Sequence, residues 1–179
     1  MKNKSEQGFT YIDVMIAIVI LLVGILALLS AISGAVFQTV GQAAQLNAKQ
    51  IATSTMESIM SVKETASFAQ WSRVGNIGSN PVGGTPQGIF VNGFQPVLPN
   101  AGADQTIGTL DDTGAAIPGF QRQIVIADEC DPTRPSPNCA TPGGYAVRVR
   151  SVVVTVTYFV GTVQKQEQLR TILTDYYIN

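Results

Sequence analysis

The sequence predicts an α+β chain: a long N-terminal helix, membrane-spanning in its first half, packed on a C-terminal antiparallel sheet. Three observations point there. Val14–Leu29 (VMIAIVILLVGILALL) has no polar side chain, and after Asp13 the next charge is Lys49. From Val40 onward the apolar or small residues recur at helical spacing. The last third is rich in β-branched residues and is divided by a Gly-Thr pair.

The apolar run needs lipid, or a ring of similar helices, as its solvent. Asp13 stands at its start, where a charge is costly and normally needs a partner. Lys2 and Lys4 precede it; positive charge beside a spanning helix stays cytoplasmic, which sends the residues after about 35 outward. An ordinary secretory signal is one reading, with Ser33-Gly34-Ala35 as its cleavage site. The apolar core is long for that, and Val36-Phe37-Gln38-Thr39-Val40 continues as helix without a change of composition. An unprocessed signal anchor is another reading, which leaves Asp13 and the Gly8-Phe9 junction without a reason.

Beyond the membrane the stripe Val40, Ala44, Ala48, Ile51, Ala52, Met56, Ile59 and Lys63 (by its stem) follows i, i+3, i+4 spacing. The first proline is Pro81, so nothing breaks the helix earlier. From Phe9 to about Ala66 it would run roughly 85 Å. Gly24, Gly34 and Gly41 are either points of bending or close helix approach, or glycines that a membrane helix tolerates.

Residues 70–144 read as an irregular connection, with ten glycines between Gly75 and Gly119 and turn prolines among them. Gly88–Asn92, Thr106–Leu110 and, more clearly, Phe120–Ala127 are strand candidates. Tyr145–Val160 is the best strand, with Val152, Val154, Val156 and Tyr158 on one face. Before Ser151 the apolar phase is the opposite one, Tyr145, Val147 and Val149 against Arg148 and Arg150, which predicts a bulge or a kink near Ser151. Gly161-Thr162 suits a II′ turn, returning Val163–Thr174 as an antiparallel partner. Its polar start, Gln164–Gln168, suits an edge that must not aggregate.

Composition narrows the function. A net charge of −1 with 13% charged residues leaves no electrostatic nucleic-acid surface. The chain has no histidine, hence neither the commonest general base nor the commonest metal ligand, and no serine has a histidine to activate it. Cys130 and Cys139 enclose eight residues; outside the cytosol they are expected to pair, closing a loop worth roughly 2–3 kcal/mol. Gly83-Gly84-Thr85 lacks the ending of a phosphate loop. Asp111-Asp112 and Asp128-Glu129-Cys130-Asp131 do not match a calcium loop and read as solvated acidic turns. Trp71 and Tyr176-Tyr177 are expected to pack beneath the sheet. No enzyme activity, cofactor or metal is expected.

A basic leader, the Gly8-Phe9 junction, Asp13 and the spanning helix together resemble the N-terminal signature of type IV prepilins and the related pseudopilins. Ala52–Ile59 (ATSTMESI) and the VVVTVTYF–Gly–LRTIL hairpin are most similar to the PilV-type minor pilins. The resemblance implies a type IV pilin-like fold. Its parts would be a leader, 1–8; a transmembrane and assembly half of the helix, 9–36; an amphipathic half, 37–69; and an irregular loop with a β head, 70–179. It implies cleavage between Gly8 and Phe9 by a prepilin peptidase and N-methylation of Phe9.

Asp13 falls on the family's acidic position, usually Glu, with a side chain roughly 1.5 Å shorter in reach. Its implied role is to neutralise the terminal ammonium of its own or a neighbouring subunit; the alternative is a helix-dipole interaction of about 0.3–1 kcal/mol. No proline interrupts the membrane helix, whereas major pilins tend to carry one. The implied function is a minor type IV pilus subunit, serving adhesion, motility or DNA uptake. Its partners would be other pilin subunits, the peptidase, the inner membrane and the assembly platform. It would sit in the bacterial inner membrane, N-terminus cytoplasmic, before joining a filament. A minor pseudopilin of type II secretion, and a signal-anchored periplasmic binding domain or enzyme, are the alternatives.

Overall fold

A computed structural model of the chain describes residues 10–65, 68–130 and 147–175. Helix α1 runs Tyr11–Thr65, matching the expected extent within two residues. A short 3-10 turn, Phe68–Arg73, follows. Then come three two-residue strands, β1 (Pro81–Val82), β2 (Thr85–Pro86) and β3 (Gln95–Pro96). Three long strands complete the order: β4 (Phe120–Glu129), β5 (Val149–Val160) and β6 (Val163–Thr174). The chain divides into two units between Gln42 and Ala43, each described here by itself.

The first unit is helix whose side chains from Thr10 to Val40 are all exposed. It is long and apolar enough to cross a membrane. At its head Thr10 caps the helix.

In the second unit the remainder of α1 packs on a four-stranded antiparallel sheet ordered β3-β4-β5-β6. Its buried stripe is Ala48, Ala52, Thr55, Met56, Ile59 and Val62. Of the expected stripe, Val40 is exposed and Ala44, Ile51 and Lys63 are half-buried. Thr55 enters the core because its hydroxyl bonds back to the Ile51 carbonyl at 2.8 Å, which satisfies its donor. Across from the helix, β5 contributes Val152, Val154, Val156, Tyr158 and Val160, all buried. Trp71, Val74 and Phe90, from the irregular connection, complete the same core.

The β5–β6 hairpin turns at Gly161-Thr162, with Gly161 at φ 63° and Val160 opposite Val163. This is the expected II′ geometry, since only the first turn residue has positive φ. Gly83 and Gly84 have φ 58° and 84° and join β1 to β2. Positive φ at both positions makes a type I′ hairpin of a pair that sequence could only reject as a phosphate loop. Gly88–Asn92 and Thr106–Leu110 form no strand; Phe90 makes only an isolated bridge with Asn76.

The expected bulge at Ser151 is absent. Register is unbroken from Val149 to Val160 against β6, and from Val149 to Tyr158 against β4. Arg150 therefore shares the inner face with Val152 and Val154, and it is 4% exposed. The physical reason is a set of partners contributed by distant parts of the chain. Its guanidinium donates to the carbonyls of Trp71 and Val74 and to Asp128 Oδ1, and it lies 4.4 Å from the centre of the Trp71 ring. Trp71 in turn donates from Nε1 to the Val147 carbonyl at 2.7 Å. Tyr176-Tyr177 lies outside the described residues.

β3 covers only Gln121 and Arg122 of its neighbour. Past that point Asn76 takes over the edge of β4. Its amide nitrogen donates to the Ile124 carbonyl at 2.9 Å, and its Oδ1 accepts from the Ile126 amide at 2.8 Å. One side chain thus reproduces the donor–acceptor pair of a neighbouring strand residue. Asn76→Asp keeps the acceptor and loses the donor, putting a carboxylate against a carbonyl. We expect it to cost about 2–4 kcal/mol, checked by urea unfolding of the full chain, with Asn76→Ala falling in the same range.

Candidate functional site

The residues singled out by sequence fall in three places. Gly8 and Phe9 lie outside the described residues, and so does Cys139. Cys130 is disulfide-bonded, one residue beyond the end of β4. Asp13 sits in the first turn of α1.

The geometry around Asp13 is a reciprocal cap. Asp13 Oδ2 accepts from the Thr10 amide at 3.0 Å and from the Thr10 hydroxyl at 2.7 Å. The Thr10 hydroxyl oxygen faces the Asp13 amide at 3.4 Å. A threonine at the N-cap with an acid three residues on is a capping box, with Asp in the place usually held by Glu or Gln. The carboxylate also lies where the helix dipole favours negative charge. The spacing Thr10-x-x-Asp13 carried this signal in sequence, and the expectation of a dipole contact included only part of it.

Within the second unit, Arg122 and Asp112 form a buried ion pair. Arg122 Nη2 lies 2.9 Å from Asp112 Oδ2, and both side chains are 5% exposed. The amide of Gly108 donates to the same Asp112 oxygen at 2.9 Å, while Arg122 Nη1 donates to Thr55 Oγ1 at 3.3 Å. This corrects the expectation that Asp111-Asp112 is a solvated turn. Asp111 is exposed on part of its surface, but Asp112 turns inward because the adjacent strand offers it a guanidinium. Asp111 takes a hydrogen bond from the Thr109 hydroxyl at 2.6 Å and another from the Asp104 amide at 3.1 Å. Those bonds hold its carboxyl below the usual carboxylate range.

Asp128, likewise read as part of a solvated turn, lies instead in β4, one residue before its end; its side chain is 46% exposed and its carboxylate stands 2.9 Å from Arg150 Nε. Two of the head's acids are therefore partners of inner-face arginines. Burial pushes the carboxyl of Asp175 up, against the opposing influence of Arg148, Arg150 and Lys63.

The Arg122–Asp112 pair borders a cleft of about 180 Å³ lined also by Val91, Pro96, Leu98 and Ile124. No group of three or more metal-ligating side chains occurs among the described residues. Nothing in the sequence brought Asn76, Thr55 or Arg122 forward as organising residues; Asn76 bonds to Ile124 and Ile126, 48 and 50 positions on, and Arg122 and Thr55 meet across 67.

These features define an α+β chain with one helix near its N-terminus suited to a membrane and an antiparallel sheet beyond it. No family model, no curated protein and no solved structure matches the chain.

Removing one member of the Arg122–Asp112 pair leaves the other charge buried. Asp112→Ala is expected to cost about 3–5 kcal/mol. The double variant Arg122→Met, Asp112→Leu should recover most of that loss. Denaturant unfolding of the parent, Asp112→Ala and the double variant checks it, and a double variant no better than Asp112→Ala would contradict the account.

Proposed function

We propose that the chain is a minor subunit of a type IV pilus, processed between Gly8 and Phe9 and inserted into a filament through α1. The observation that carries this reading is the change along a single helix. Up to Val40 its side chains are exposed and, after Asp13, uncharged, whereas from Ala48 the same helix lends a small-residue stripe to the core of an antiparallel head. A helix that is apolar all round requires lipid or like helices. Lipid supplies that surrounding before assembly, and copies of related helices supply it afterwards. A repeated head-to-tail contact that does not close gives an open filament. The resemblance at residues 8–30 supports the same reading, as does an acid at the start of the apolar run.

On this reading the fold does no chemistry of its own. Prepilin peptidase would act on the Gly8-Phe9 junction, where glycine allows close approach to the backbone. Asp13 would then meet the new terminal ammonium as a subunit leaves the lipid. Leaving that ammonium unmatched among apolar helices costs several kcal/mol.

The direct test is the intact mass of the mature protein from its native host, with fragmentation of its N-terminus. The expected chain begins at N-methylated Phe9. A chain beginning at Met1 or at Val36 would sink the proposal and favour an anchored or secreted domain.

Asp13 separates capping from charge pairing. Asp13→Asn retains an oxygen for the Thr10 donors and removes the charge. Helix content in membranes should stay within a few per cent of the parent, and the subunit recovered in sheared filaments should fall by about tenfold or more. Asp13→Glu should restore it. Equal incorporation of the Asn variant would leave Asp13 with its cap alone.

A further inference from the structure

The outer face of the sheet carries a groove at its turn end, lined mainly by uncharged side chains. Gln121 of β4, Thr157 of β5 and Gln166 of β6 stand in one row across three strands. Phe159 and Gln164 form the next pair toward the turn. Phe94, just before β3, meets this end of the sheet, and with Gln121, Thr157, Gln164 and Gln166 it lines a groove of about 380 Å³. Lys165 contributes to the groove between the two glutamines. It pairs with Tyr158, whose side chain is in the core, so strand alternation assigns the lysine side chain to the other face.

The lining chemistry is selective. Each glutamine offers a carbonyl acceptor and an amino donor, and among the described residues the amides of Gln121, Gln164 and Gln166 have no hydrogen-bond partner. Phe94 and Phe159 are 44% and 54% exposed, large aromatic surfaces beside those amides. Arg170 and Glu129, charges further along the same face, stand 4.0 Å from each other and so offset one another. A cationic ligand would find no carboxylate in the lining, and an anionic one would find only Lys165, whose register sets its side chain on the face opposite the glutamines. A wholly apolar ligand would bury amides without bonding them, which is costly. A ligand with a hydroxyl rim and an apolar ring face satisfies both kinds of lining at once.

We propose that this groove binds a neutral saccharide, its hydroxyls bonded to Gln121, Gln164, Gln166 and Thr157 and a ring face laid on Phe94. The inference goes beyond the filament reading and does not rest on it, because every residue involved lies in the second unit.

The test uses the full chain in a detergent without a sugar headgroup. It is titrated by calorimetry with malto-, cello- and chito-oligosaccharides, and with oligogalacturonate as the anionic comparator. At least one neutral series should bind. Phe94→Ala and Gln166→Ala should each weaken it about fivefold, the loss of one net contact, with melting unchanged. Lys49→Ala, outside the groove, should have no effect.

The proposal is overturned if no neutral series binds, or if the groove variants leave the affinity unchanged. Stronger binding of oligogalacturonate that is lost in Lys165→Ala would also overturn it. A Gly8→Leu chain, blocked at the processing junction, should bind the saccharide as the parent does. That arm keeps failure of the filament reading distinct from failure of this one.

Discussion

Ala48, Ala52, Met56 and Ile59 on α1 meet Val152, Val154 and Val156 on β5 in one buried cluster, and the head's other features are arranged around that contact. Two alanines in the stripe let the helix backbone come close to the sheet, and valines suit a pleated surface packed on one face. Fully burying each valine stabilises by about 1.5–3 kcal/mol, an upper range because the unfolded chain already hides some apolar area. The irregular connection then has something to pack against. Trp71, Val74 and Phe90 bring separate stretches of it onto the same cluster. Without the helix–strand contact those segments would have no common surface to share.

The inner face is not purely apolar, and its two arginines show how the connection is held. Arg122 reaches Asp112 and Thr55; Arg150 reaches Asp128 and the carbonyls around Trp71. Each guanidinium is planar and offers several donors in a fixed fork, so it can tie together elements that share no backbone ladder. Burial of charge alone would be unfavourable. Here carbonyls and hydroxyls as well as carboxylates meet the donors, which offsets much of that cost. Asn76 plays a related part at the β4 edge, where a side-chain amide replaces a missing strand. The opposite edge strand, β6, is handled by composition, with its first half exposed and polar.

Much of this layout could be read from sequence because its signals are local. The absence of charge between Asp13 and Lys49, the helical stripe after Ala44 and the Gly161 turn each depend on neighbours a few residues away. What failed to be legible depends on distant partners. Arg150 read as outward-facing because alternation treats a charge as a solvent marker, yet its acceptors are 76 and 79 residues earlier. From that one misplaced arginine came the expected bulge at Ser151. Asp112 read as solvated because the Asp-Asp pair matches no calcium loop, and nothing in the pair says which one turns inward. The Thr10–Asp13 box was a local signal overshadowed by the cost of a charge beside an apolar run.

On the filament reading, that box sets how Asp13 would serve assembly. In the single chain its Oδ2 already accepts two hydrogen bonds from Thr10. Hydrogen bonds to an ionised acceptor are shorter and stronger than those to a neutral one. An incoming ammonium therefore meets a carboxylate that is held in place, with Oδ1 still available to it among the described residues. Aspartate closes the box on Thr10 as glutamate does in the commoner form, but with roughly 1.5 Å less reach toward a neighbouring terminus. On the filament reading, this exchanges reach for preorganisation: the neighbouring terminus must come closer, and the carboxylate loses less freedom when it does. On the same reading, those bonds would keep the acid satisfied before assembly, while the helix is in lipid, where an unpaired carboxylate is most costly.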